Sequence, residues 1–186
     1  MNRKGFTFVE LLATIVILGI LTSLTVSTLL RTIERSRNKV YINDASTMVA
    51  QAEYLAKSKP NKIKRPTHNN CVVILLNAFN SDDFSSPPNG GEYSVTKSFV
   101  VYKSNYDAST KIETFEFSGV LFEELKGNKG FNGVKLTSGV DLSKGKGEIV
   151  GGISNVVVDS SKEKMLQYIN GVIPNYCGAI DAVIEK

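Results

Sequence analysis

The chain has 186 residues, with 22 Lys and Arg against 18 Asp and Glu and a formal net charge of +4. That length holds one ordinary domain beside an apolar anchor, and so mild an excess of positive charge falls short of the bias that marks nucleic-acid binding. The two cysteines and single histidine, His68, leave no Cys/His set at zinc-ligand spacing, so neither metal nor cofactor is expected.

The first element is an apolar run. From Leu11 to Leu30 there are twenty residues without a charge, enough to cross a hydrocarbon core of roughly 30 Å as a helix. The run is too long for a secretory signal and ends in Thr-Leu-Leu-Arg without a small-residue cleavage site. No Cys follows it, which excludes a lipid-modified signal. Glu10 is the one ionisable side chain between Phe6 and Leu30, and a carboxylate at such a place usually marks a function.

Residues 4–12, Lys-Gly-Phe-Thr-Phe-Val-Glu-Leu-Leu, resemble the leader and cut site of type IV pilins and of the pseudopilins of type II secretion and competence systems. The resemblance covers about the first third of the chain. It implies that a membrane prepilin peptidase and methyltransferase cuts on the cytoplasmic side after Gly5 and methylates Phe6, with Glu10 serving subunit assembly. It also implies a single-pass protein of the cytoplasmic (inner) membrane with its head outside, later joined to other pilins in an extracellular filament. Positive-inside counting by itself favours the reverse orientation, since Arg3 and Lys4 face Arg31, Arg35, Arg37 and Lys39 across the run.

Beyond Leu30 the pattern turns one-sided without Pro or Gly. Ile33, Val40, Tyr41, Ala45, Met48, Val49, Ala52, Leu55 and Ala56 recur at helical steps, which predicts a continuation of the same helix to Lys57, ahead of Ser58-Lys59-Pro60. The helix would be about 78 Å long, half apolar all round and half amphipathic. Thr22, Ser23, Thr25, Ser27 and Thr28 crowd the second part of the apolar half, either to allow close helix approach or to return their hydroxyls to the helix's own carbonyls.

Residues 58–70 read as loop and carry most of a basic cluster, Lys57, Lys59, Lys62, Lys64 and Arg65. Cys71–Phe79 fits a strand or a buried helical turn, and 81–91 is loop. Strands follow at 98–104 and 111–117, closed into a hairpin by 105–110, with Phe115 and Phe117 facing inward and Ile112 outward. Residues 122–125 fit a helical turn or a strand end, and 127–133 reads as loop. Candidate strands cover 134–142 and 148–158. Ser160-Ser161-Lys162-Glu163 opens a short helix through Tyr168, and the remainder should wrap back over the sheet. If the head lies in an oxidising compartment, Cys71 and Cys177 can form a disulfide; otherwise they read as two buried thiols.

The expected fold is α+β and pilin-like: a leader at 1–5, a membrane or filament-core helix at 6–30, its amphipathic continuation at 31–57, and an antiparallel β-sheet head at 58–186. No catalytic constellation is present. One histidine gives no triad with a spare base, and the glycines at 145, 147, 151 and 152 lack phosphate-loop spacing. A structural filament subunit is therefore favoured over an enzyme. The alternatives are a pseudopilin, or a minor subunit whose basic cluster captures DNA or a surface.

Overall fold

The computed structural model describes residues 7–79, 84, 87, 88, 90–95, 97–124, 131–136, 148–150, 161–172 and 175–186. Two compact units divide at Arg37 and Asn38, and helix α1, Phe8–Ser58, runs through the boundary. No proline lies within it, and Gly19 is its one glycine, with open space about its Cα. It ends where Pro60 disfavours further helix.

In the first unit the large apolar side chains are exposed: Phe8 is 77% exposed, Leu18 60% and Leu30 62%. Ile33, expected in the apolar stripe, belongs with them at 47%. The buried stripe begins later, in the second unit, with Tyr41, Ala45, Met48, Val49, Ala52 and Ala56. Alanine at 45 and 52 lets the helix settle close to the sheet. The approach is close at Gly119, where a Cβ would stand 3.2 Å from the Phe99 carbonyl oxygen, 3.2 Å from Val49 Cγ2 and 3.3 Å from Met48 Cε.

Among the described residues the sheet has seven strands: β1 Cys71–Leu75, β2 Glu92–Tyr93, β3 Phe99–Asp107, β4 Ile112–Glu124, β5 Phe131–Leu136, β6 Glu148–Val150 and β7 Ile180–Ile184. They lie in the order β6-β5-β4-β3-β1-β7, with β2 added to β4. A second helix, α2, spans Lys162–Val172. Alternation along the strands sorts the core into two layers. Val72, Ile74, Val100, Tyr102 and Leu121 face the layer of Tyr41 and Met48, while Val73, Phe99, Val101 and Phe122 pack with Met165 and Ile169 of α2. Strand β1 is buried along its whole length.

Strands β3 and β4 form the expected hairpin, longer than its periodicity indicated because Asp107 still pairs with Ile112. The turn is held by the Asp107 carboxylate, which accepts from Ser109 N–H (2.9 Å), Ser109 Oγ (2.6 Å) and Thr110 Oγ1 (2.9 Å). Phe115 and Phe117 pack on the Tyr41 layer, and Ile112 is 57% exposed.

Four details differ from the sequence reading. The sheet is mixed, since β7 runs parallel to β1, with a bulge between Cys71 and Val72. The chain after α2 thus adds an edge strand instead of merely wrapping over the sheet. Residues 131–133, read as loop because of their glycine, belong to β5 and pair with β4. Helix α2 continues past Tyr168 to Val172, where Asn170 makes tertiary hydrogen bonds. Residues 137–142 and 151–158 of the two expected strands, and Ser160 of the expected cap, lie outside the described residues.

The candidate assembly segment and the ties of the head

Gly5 and Phe6 lie outside the described residues; the site begins at Thr7. Thr7 N–H and Thr7 Oγ1 each donate to Glu10 Oε2 at 2.8 Å, and Glu10 N–H donates back to Thr7 Oγ1 at 3.3 Å. This reciprocal exchange is a capping box: it satisfies amides that the first helical turn leaves without partners. The signal was legible as Thr7-x-x-Glu10 directly before an apolar run, although Glu10 drew attention for its charge and its place in the pilin-like motif. Oε1 of Glu10 has no partner among the described residues.

Behind the box, several threonine hydroxyls turn inward on their own helix. Thr14 donates to Leu11 O (2.7 Å), Thr22 to Leu18 O (2.7 Å) and Thr32 to Thr28 O (2.9 Å), while Thr25 divides between Leu21 O and Thr22 O. Each polar side chain so engaged presents little but methyl and methylene to its surroundings. The resulting surface is apolar all round, and none of its most apolar window is buried within the chain. Length and composition suit a membrane span.

In the head, the Cys71 and Cys177 sulfurs are bonded, with Cα atoms 5.7 Å apart and a sequence separation of 106. Asn170 fixes the Cys177 backbone from both sides, donating through Nδ2 to its carbonyl and accepting its N–H at Oδ1, each at 2.9 Å. Sequence reading missed Asn170, which it placed beyond the end of a helix through Tyr168.

A second tie joins α1 to β2. Tyr93 donates its hydroxyl to the buried Asp44 carboxylate at 2.5 Å, and Gly91 N–H donates to Glu123 Oε1 at 2.9 Å. Burial, and then the Asp44 carboxylate, push the Tyr93 phenol far above its ordinary pKa.

The basic cluster is less uniform than its sequence. Lys57 pairs with Glu53 at 2.6 Å, and the Arg65 guanidinium lies 5.6 Å from the Phe115 ring centre. Tyr102 is buried with its ring stacked on Phe117 at 4.4 Å, so it offers no open face for a nucleobase beside these cations. His68 rests against the Tyr106 ring, and the described residues contain no His, Cys, Asp and Glu grouping suited to a metal.

Residues 1–26 match the family model described as the prokaryotic N-terminal methylation motif. No curated protein and no solved structure matches the chain. The motif belongs to structural, typically non-enzymatic pilin-like proteins, implies processing by prepilin peptidase and assembly with other pilins, and fits anchoring in a membrane beforehand. With its long apolar N-terminal helix and α+β head, this chain carries the signature of type IV pilins and pseudopilins at residues 1–26.

Proposed function

We propose that the chain is a structural subunit, major or minor, of a type IV pilus-like extracellular filament. It is cut after Gly5 and methylated at Phe6, held in the cytoplasmic membrane by residues 6–30 with its head outside, and then transferred into the filament through the same helix. The observation that carries this reading is the unburied apolar surface of α1 behind the methylation motif. So large an apolar surface needs a cover, lipid first and neighbouring helices afterwards. The Cys71–Cys177 bond supports a head outside the cytoplasm, because such bonds persist in oxidising compartments.

Glu10 gives the transfer its specificity. In the membrane its carboxylate lies about one helical turn from the new terminus, within reach of interfacial water. In an apolar helix bundle that water is lost, and a buried carboxylate needs a charged, hydrogen-bonding partner. The Phe6 amine freed by the cut supplies one. Thr7 occupies Oε2, which leaves Oε1 for an amine on the same or a neighbouring helix.

Comparing the filament yield of Glu10→Ala subunits with that of the parent tests the pairing. A large loss of filaments with normal membrane levels is expected, and undiminished assembly would refute it. A pseudopilin of a secretion or competence system, with a DNA- or surface-binding head, is the alternative, and its handle is the exposed lysines at 57, 59, 62 and 64. Salt-dependent DNA retention by the detergent-solubilised chain, abolished by neutralising those lysines, would favour it.

A further inference from the structure

We infer that Arg31, Arg35 and Arg37 form a collar for the phosphate headgroups of anionic lipids, in the leaflet where the membrane helix emerges. The inference rests on reading residues 6–30 as a membrane span. Between Phe6 and Leu30 there is no Lys or Arg, and three arginines follow within the next seven residues. All three are on α1 and exposed. Among the described residues none of their guanidinium groups forms an ion pair, not even with Glu34, which is three residues from Arg31.

Their spacing sets both depth and direction. The twenty uncharged residues from Leu11 to Leu30 match the thickness of a hydrocarbon core, so Arg31 falls at its edge. At about 1.5 Å per residue Arg37 lies roughly 9 Å further out, at the depth of the headgroups or just beyond them. At about 100° per residue Arg31 and Arg35 share one side of the helix, whereas Arg37 projects from nearly the opposite side. A docked protein would need its cationic contacts on one face. A headgroup layer surrounds the helix and engages all sides, and the planar guanidinium fork suits phosphate oxygens.

The collar also accounts for the unfavourable charge balance across the span. Loss of residues 1–5 removes Arg3 and Lys4, so every remaining Lys and Arg lies after the span, against the usual bias. Attraction to anionic headgroups offsets that bias and holds the subunit at a fixed depth until it is withdrawn.

The test uses the full, uncut chain in phosphatidylcholine vesicles with and without phosphatidylglycerol, with spin-labelled lipids reporting which lipid contacts the protein. The parent should prefer phosphatidylglycerol by on the order of fivefold for each arginine engaged, and high salt should weaken the preference. Arg31→Gln/Arg35→Gln/Arg37→Gln should remove most of the preference, the remainder being that of Arg3, Lys4 and Lys39, and the corresponding triple Lys variant should keep most of it. Parity in the parent, or a preference undiminished in the Gln variant, overturns the collar. Complete competition by soluble glycerol phosphate also overturns it, because the site would then take free phosphate. Failure to cut at Gly5 would sink the filament reading and leave this measurement unaffected, since it is made before any cut.

Discussion

The Tyr93 hydroxyl reaches across the core to the Asp44 carboxylate, tying the buried stripe of α1 to the strand that precedes the central hairpin. Removing one partner of a hydrogen bond to a buried charged group costs about 1.5–3 kcal/mol. Tyr93→Phe should therefore lower the stability of the detergent-solubilised chain by that amount in urea denaturation. Asp44→Ala with Tyr93→Phe should cost clearly less than the two single losses added. Strict additivity would show that the bond contributes nothing.

The Cys71–Cys177 bond closes a long loop and fastens the parallel edge strand β7 to β1. Cys177→Ser, or reduction, should lower stability by about 2–4 kcal/mol. Asn170→Ala, which releases both contacts to the Cys177 backbone, should slow recovery of the bond after reduction and reoxidation. Urea denaturation reads the first effect and thiol counting during refolding the second.

Gly119 leaves room for α1 that a methyl group would take. With a backbone oxygen among the three nearest atoms, relief by side-chain movement is incomplete, and Gly119→Ala should cost about 1–3 kcal/mol. Gly19→Ala, in open space, should be neutral or slightly stabilising. Thermal denaturation of the two variants under one condition compares them directly.

Asp107 titrates at about 2, held below its usual 3.8 by the Ser109 hydroxyl first, then the Ser109 N–H and Thr110. Its folded pKa is depressed, so its contribution is present above pH 3.8 and is lost as the pH falls through about 2. NMR titration of the Asp107 carboxyl carbon should give the low midpoint in the parent. Ser109→Ala should move it upward; a midpoint near 3.8 in the parent would contradict the turn geometry.

Local pattern carried most of α1 and the central hairpin. Uncharged length, helical spacing and strict alternation at 111–117 are each properties of contiguous residues. The parallel pairing of β7 with β1 was not legible, because it joins segments about a hundred residues apart and depends on where the disulfide draws the chain. Asp44 fell among the polar positions of the stripe until Tyr93 gave it a partner. Gly119 gave no local sign of its role, and only the approach of Met48 and Val49 shows why no side chain fits. At the assembly segment the residues were legible, and the Thr7–Glu10 exchange, though present as a Thr-x-x-Glu spacing, was read only once the first turn showed both partners.

The central claim is that residues 1–5 are a leader and that Phe6 begins the mature subunit. The intact mass of the chain recovered from membranes of cells containing prepilin peptidase tests it most directly. A mass lower by residues 1–5 and higher by one methyl group is the predicted result. A full-length, unmethylated chain stably anchored in the membrane would contradict the account.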